Sequence, residues 1–406
     1  MYIKRHIEKT LREYNESFPV VLVTGSRQVG KSTMLKESFG DVEYVTLDDR
    51  VVHNALHQDP QGFLMVKGTP LIIDEIQREQ ASFVDIKYLV DKNRHPGMYI
   101  LTGSQRYELM EKVSESLAGR IGVLNMLPLS VREAQGDSFD APFIPTGEYL
   151  NRRKSTQAIS VKDIWKMIHR GFMPELVVNR KMQWEAYYAA YVDTYIERDV
   201  RALTQVGDML TFVRFMTALA ARTGELLNMH DVAKDVGIDD KTVKRWISIL
   251  EASGIIYMLK PFSLNVNKRV VKTPKLYFTD TGLVCYLCRW LTSETLYNGA
   301  MAGNIFETFV VSEILKSYYN AGRRPDMYFF RNTDGQEVDL IFYEGGCIYP
   351  VEIKKASSFD EKMMKNFKTL HTFFPNLKIS EGGVICTYEN AMPVNDGRWI
   401  IPVGNI

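Results

Sequence analysis

The sequence predicts a multidomain α/β protein, and three of its stretches carry that reading. At 19–24 an apolar, β-branched run breaks into a glycine loop and resumes as a helical pattern, the strand, loop and helix order of a phosphate-binding turn. Residues 229–255 hold two short helical patterns separated by Gly237, and residues 336–354 alternate polar and apolar side chains as a strand pair does. At 406 residues the chain is too long for one ordinary core, so two or three domains are expected. The boundaries read as a parallel-sheet nucleotide-binding domain over 1–150, a helical lid or linker over 151–225, a winged helix-turn-helix over 226–292 and a small α/β domain over 293–406.

Composition narrows the class. Hydrophobic content of 45%, charged content of 24% and 11% aromatics describe a folded soluble protein. The formal net charge is only +1, so contact with nucleic acid has to come from local patches. The amino-terminal residues lack the apolar core and small-residue cleavage site of a signal peptide, and no run of ~18 apolar residues occurs. A cytoplasmic protein with no membrane partner is expected. Four cysteines fit a reducing compartment, and Cys285 and Cys288 form a lone C-x-x-C in an apolar stretch, which reads as buried thiols.

Residues 1–17 read as an amphipathic helix leading into the first strand. The loop that follows is Gly25-Ser26-Arg27-Gln28-Val29-Gly30-Lys31-Ser32-Thr33, a G-x-x-x-x-G-K-[ST] phosphate-binding motif. Its glycines let backbone N–H groups wrap phosphates, and Lys31 reaches the outer phosphates as a point charge. Ser32 offers a hydroxyl to Mg²⁺, and the helix N-terminus adds partial positive charge. ATP and Mg²⁺ are the expected ligands.

A second strand is expected at 42–47, and the apolar run 70–73 closes on Asp74 and Glu75. Asp74 is expected to hold Mg²⁺ through water, and Glu75 to orient or deprotonate the attacking water. Either acid also suits capping of the next helix. The strand at 98–103 ends in Ser104 and Gln105, where one side chain reaches the γ-phosphate as a sensor or simply makes a turn. The pattern 114–120 ends in glycine and Arg120. This arginine reads as a finger entering a neighbouring subunit's site, which implies a homo-oligomer, or as a cation complementing a helix C-terminus.

These four segments, GSRQVGKST, LIIDE, LTGSQ and ESLAGR in that order, resemble the bacterial and archaeal AAA-type P-loop ATPases that carry a C-terminal domain of unknown function. The resemblance covers nearly the whole chain. It implies a RecA-like parallel sheet, ATP as ligand and the roles just assigned, with Arg120 as finger resting on it most.

Residues 150–225 turn helical, with an aromatic stripe from Trp184 that reads as core, and Arg198 either reaches the nucleotide from a lid or pairs with Asp199. In the helix-turn-helix, Val243, Trp246, Ile247 and Leu250 face inward while Lys241, Thr242, Lys244 and Arg245 face out, suited to phosphates and base edges. Two strands then bracket a basic loop with Lys268, Arg269 and Lys272, completing a winged helix that serves either DNA contact or protein docking.

Toward the end of the chain, a helical stretch carrying Glu307 precedes strands at 336–342 and 348–354 joined by a glycine turn. Period-2 geometry places Glu352 and Lys354 on one face, and the hairpin lays Asp339 beside them. Two carboxylates and a lysine so arranged suit a divalent metal, Mg²⁺ or Mn²⁺, and a positioned hydroxide. This helix, strand, strand order resembles the PD-(D/E)xK restriction-endonuclease-like nucleases. Asp339, Glu352 and Lys354 match their core motif, Glu307 matches the acidic residue of their first helix, and Glu337-Val338-Asp339 stands in place of Pro-Asp. The resemblance implies metal-dependent DNA cleavage; an amphipathic hairpin with solvated charges is the structural alternative. The whole reads as an ATPase acting on DNA through a winged helix and a nuclease-like domain. The competing reading is an ATP-controlled switch or scaffold whose last domain binds a partner without cutting.

Overall fold

The computed structural model describes residues 2–104, 109, 113, 115–153, 159–195, 209–263 and 273–406. Gln105, Arg198, Asp199, Lys268, Arg269 and Lys272 lie outside them.

The amino-terminal part alternates strands and helices: α1 (Ile7–Asn15), β1 (Val20–Thr24), α2 (Lys31–Ser38), β2 (Glu43–Thr46), α3 (Arg50–Gln58), α4 (Pro60–Lys67), β3 (Leu71–Asp74), α5 (Phe83–Lys92), β4 (Tyr99–Gly103) and β5 (Ile121–Asn125). The strands form one parallel sheet in the order β2-β3-β4-β1-β5. Every residue of β1, β3 and β4 is buried, as the continuous apolar runs require when both faces of a parallel sheet are covered. Two hydrophobic clusters lie on its two faces, one built on Leu22, Leu71 and Leu101, the other on Val21, Val23 and Ile72. Thr24 pairs with Gly103 and Asn125, and Thr46 with Asp74. The carboxyl ends therefore align, so the glycine loop, Asp74–Glu75 and Ser104 leave the sheet at one edge.

The middle of the chain is helical, with α6 (Val131–Gln135), α7 (Gly147–Arg152), α8 (Val161–Arg170), α9 (Pro174–Val178), α10 (Trp184–Tyr195) and α11 (Met209–Ala220). A three-stranded antiparallel sheet β6-β8-β7 follows, made of β6 (Glu225–Leu226), β7 (Ile256–Leu259) and β8 (Lys275–Phe278). Between β6 and β7 run α12 (Met229–Val236) and α13 (Asp240–Ala252). Gly237 closes α12 at φ +80°, which favours glycine, and Asp239 caps α13 by accepting from the Thr242 amide at 3.0 Å. Val243, Trp246, Ile247 and Leu250 are buried, whereas Lys241, Lys244 and Arg245 are exposed. Strand β6, two residues long, has no period the sequence could reveal.

The C-terminal part holds α14 (Thr281–Leu287), α15 (Ser293–Tyr297), the long α16 (Ala302–Asn320) and α17 (Phe367–Phe373). Its seven-stranded mixed sheet comprises β9 (Met327–Arg331), β10 (Glu337–Glu344), β11 (Cys347–Ile353), β12 (Lys378–Ile379), β13 (Gly382–Cys386), β14 (Met392–Val394) and β15 (Arg398–Pro402). The order is β14-β15-β13-β11-β10-β9, with β12 parallel to β11. β10 and β11 form the expected hairpin, closed by Gly345 and Gly346, both at positive φ.

One hydrophobic cluster runs from Leu127 through the helical middle and three-stranded sheet to Ile406, with α16 buried on nearly every side within it. The ATPase-like part is tied to that body by α1: Thr10 Oγ1 donates to the Asn320 carbonyl at 2.7 Å. Among the described residues no helix is long and apolar enough to cross a membrane.

Candidate functional site

The glycine loop between β1 and α2 has a shape only its sequence permits. Gly25 has φ +148°, and a Cβ there would lie 2.1 Å from the carbonyl oxygen of Met126. Gly30, at φ +92°, is the N-cap of α2, and Gln28 also sits at positive φ. Ser26 and Val29 are buried, Arg27 is half-buried, and Gln28 and Thr33 are exposed. Lys31 is buried, and its ammonium donates to the carbonyls of Gly25 and Ser26 at 2.9 and 2.8 Å, inside the loop where phosphate oxygens are to be met. Ser32 Oγ donates to both oxygens of Asp74, at 3.0 and 2.9 Å. A glycine cradle that any side chain would fill, beside a serine hydroxyl and a carboxylate, fits a nucleotide's phosphates with Mg²⁺ on Ser32 and Asp74.

Asp74 is held from three sides. Besides Ser32 it accepts from the Tyr44 hydroxyl at 2.5 Å and from the Thr102 hydroxyl. Burial, and then the Asp74 carboxylate, push the Tyr44 phenol well above its usual range, so it remains a donor. Glu75 takes φ +59°, outside the usual range for a residue with a side chain. That bend turns the chain out of β3, with the Glu75 amide facing the Thr102 hydroxyl at 3.3 Å. The Glu75 carboxylate accepts from the Gln77 amide, which also stands 3.5 Å from Ser104 Oγ. Tyr44, Thr102 and Gln77 were not identified from the sequence. Thr102 precedes Gly103 in the same strand end, and Gln77 follows Glu75 by two; only register between strands reveals that Tyr44 reaches Asp74.

Arg120 precedes β5 and lies at the opposite edge of the sheet from the glycine loop. Its guanidinium pairs with Asp91 of the same chain, Nε to Oδ1 at 2.5 Å and Nη2 to Oδ2 at 2.9 Å. A finger role in a neighbouring subunit requires that pair to open.

The second constellation assembles on β10, β11 and α16. Asp339 accepts from the Ile353 amide at 2.8 Å and from the Lys354 ammonium at 2.9 Å, and Lys354 meets Glu352 at 2.6 Å. Glu307 accepts from Lys275 Nζ at 2.9 Å and Tyr277 Oη at 2.6 Å, both on β8. Lys275 also meets Glu337 at 2.5 Å. Burial, with Asp339 alongside, pushes the Glu352 carboxyl up to about 9, and burial likewise raises Glu307. Burial raises Asp339 as well, but Lys354, Lys275 and the Ile353 amide outweigh it and hold its carboxyl low. Glu352 is only 3% exposed, yet its Oε1 has no hydrogen-bond donor among the described residues. Asp339 and this orphaned oxygen fit a cation. Lys275 and Tyr277 serve Glu307 instead, and among the described residues no three His, Cys, Asp or Glu side chains converge as a metal site. Lys275 was not expected here, because nothing in the sequence pairs β8 with α16. The free cysteines include Cys285, buried, and Cys288, whose thiol burial pushes up to about 11.

Residues 17–135 match the AAA domain family. With the strand order and loop geometry above, this part of the chain is similar to AAA-type P-loop ATPase domains. Residues 161–294 and 302–406 match two further families, each described as a domain of unknown function (DUF8612 and DUF4143). Over 405 residues, 99% of this chain and 84% of theirs, the chain is 25% identical to uncharacterized proteins of Mycobacterium tuberculosis and Mycobacterium bovis. Among solved structures, a Walker-type ATPase of Pyrococcus abyssi overlaps 70% of this chain and 96% of its own at 14% identity and a TM-score of 0.45. AMPPCP-bound DnaA from Aquifex aeolicus overlaps 60% of this chain and 85% of its own at 12% identity and a TM-score of 0.29.

Proposed function

We propose that the chain hydrolyses ATP at the glycine loop and uses that cycle to act on DNA through its middle and C-terminal parts. The observation that carries the ATPase reading is the Ser32–Asp74 contact beside a loop that only glycine permits at position 25. A bound Mg²⁺ would supply charge neutralisation at the outer phosphates. The backbone of residues 25–30 and Lys31 bind and orient those phosphates, and Ser32 and Asp74 hold the ion. Glu75, steadied by Gln77, accepts a proton from the attacking water, with Ser104 on the same edge as sensor. Arg120 completes the site of a neighbouring copy.

Turnover of ATP by the purified full chain tests this. Lys31→Ala is expected to abolish nucleotide binding, and Glu75→Gln to keep binding while turnover falls by ~10²-fold or more. Normal hydrolysis by Glu75→Gln removes its assigned role.

Action on DNA rests on the exposed Lys241, Lys244 and Arg245 of α13, in the winged-helix reading, and on Asp339, Glu352 and Lys354 in the nuclease-like reading. Plasmid nicking with Mg²⁺ or Mn²⁺ that disappears in Glu352→Ala supports cleavage. The second reading, a switch whose last part binds without cutting, is favoured by Lys275 on Glu307. DNA binding without nicking selects it.

A further inference from the structure

The carboxylates Glu307, Glu337, Asp339 and Glu352 share two ammonium groups, and those two come from different parts of the fold. Lys354 belongs to the β10–β11 hairpin itself. Lys275 is delivered by β8 of the three-stranded sheet, is 3% exposed, and spans Glu307 at 2.9 Å and Glu337 at 2.5 Å. Tyr277, two residues on and on the same strand face, adds a 2.6 Å donor to Glu307.

The delivery is mechanically fixed. The chain leaving β7 forms a parallel bridge at Pro261 with Phe329, and the Phe262 amide donates to the Phe329 carbonyl at 2.7 Å. Phe329 belongs to β9, which pairs with β10, the strand that carries Glu337 and Asp339. The three-stranded sheet is thus bolted to the sheet that bears the carboxylates. Lys275 serves Glu307 and Glu337, and Lys354 serves Asp339 and Glu352 at 2.9 and 2.6 Å, while Glu352 Oε1, buried, has no hydrogen-bond donor among the described residues.

We infer that Lys275 is a built-in counter-cation which occupies Glu307 and Glu337 and repels a divalent ion from the Asp339–Glu352 site, so that the charge held at position 275 sets how tightly that site takes a metal. The inference rests on the reading of Asp339 and Glu352 as a cation site. Like charges in a dry cluster are poorly screened, so an ammonium beside the site weakens a second cation.

The test is Mn²⁺ titration of the full chain, read from the electron paramagnetic resonance of free Mn²⁺, in an Asp74→Asn background that removes the glycine-loop carboxylate. Lys275→Met is expected to bind Mn²⁺ at least ~10-fold tighter than its parent, and the gain is expected to vanish with Asp339→Asn. Because Lys275→Met takes the ammonium from two half-buried carboxylates, the pair Lys275→Met/Glu307→Gln is also compared with Glu307→Gln alone, and the double variant is expected to bind tighter. Equal affinity in that comparison, or a gain that survives Asp339→Asn, overturns the inference while leaving the cation site standing. Absence of Mn²⁺ binding in every variant overturns both; neither result bears on ATP turnover.

Discussion

Arg5 and Glu133, 128 residues apart in the chain, form a buried ion pair at 3.0 Å beneath the glycine loop. The same guanidinium donates to the carbonyls of Val29 and Leu127, each at 2.8 Å, so one side chain ties α1, the loop and the start of the helical body together. Burial opposes ionisation of Glu133, but Arg5 and the Ser130 and His6 amides outweigh it and hold the carboxyl below its usual range. Removing the arginine leaves an uncompensated buried charge. Arg5→Met is expected to lower stability by about 3–5 kcal/mol, measured by urea unfolding, and Arg5→Met with Glu133→Gln to recover part of that loss. An unchanged midpoint in Arg5→Met would show the pair to be incidental.

Asp74 has three hydroxyl donors, and two of them belong to no nucleotide motif. Tyr44→Phe leaves Ser32 as the side-chain donor to Oδ2, and Thr102→Val leaves it as the side-chain donor to Oδ1. Each loss of a hydrogen bond to a charged group is expected to cost about 1.5–3 kcal/mol of ordering at Asp74. The readout is the Mg²⁺ concentration for half-maximal ATP turnover, expected to rise ~10-fold in Tyr44→Phe. No change would mean that Ser32 and Thr102 suffice to position the carboxylate.

Much of this arrangement was legible in the sequence because it is local. The glycine loop, the acidic strand end and the β10–β11 hairpin each lie within a few residues of one another, and period-2 alternation placed Glu352 and Lys354 on one face. What stayed hidden depends on contacts between distant elements. Tyr44 reaches Asp74 only through the register of β2 on β3, and Arg5 reaches Val29 only through the packing of α1. Lys275 meets Glu307 only because one continuous core binds the three-stranded sheet to α16. Composition along the chain changes at loops, while burial is shared across them in one cluster from Leu127 to Ile406.

Gln77 bridges Glu75 and Ser104, and Glu75 itself occupies a left-handed backbone conformation that its surroundings must maintain. Gln77→Ala frees the Glu75 carboxylate to rotate without touching the phosphate cradle. Turnover is expected to fall ~10-fold with nucleotide affinity unchanged, because only proton acceptance from the attacking water is disturbed. Equal losses in binding and turnover would instead assign Gln77 to the nucleotide pocket.

The Glu352 carboxyl makes the stability of the fold depend on pH. Burial, then Asp339, raise it from its usual 4.5 to about 9. Between those values the folded chain keeps a proton that the unfolded chain has released, so folding binds protons and stability falls as pH rises through the window. Below pH 4.5 that contribution is fully present. Asp339, held low by Lys354 and Lys275 against its own burial, has the opposite sign, since its stabilisation is lost as pH falls through its folded value. The two acids touch and titrate as a pair, so the observable is the slope of the pair. Urea midpoints from pH 6 to pH 9 are therefore expected to decline in the parent and to flatten in Glu352→Gln, which keeps the shape and removes the proton. Glu352→Gln should also be the more stable chain at the alkaline end. A parent and variant with parallel pH profiles would mean that Glu352 is ionised in the fold, with Lys354 sufficient to hold it.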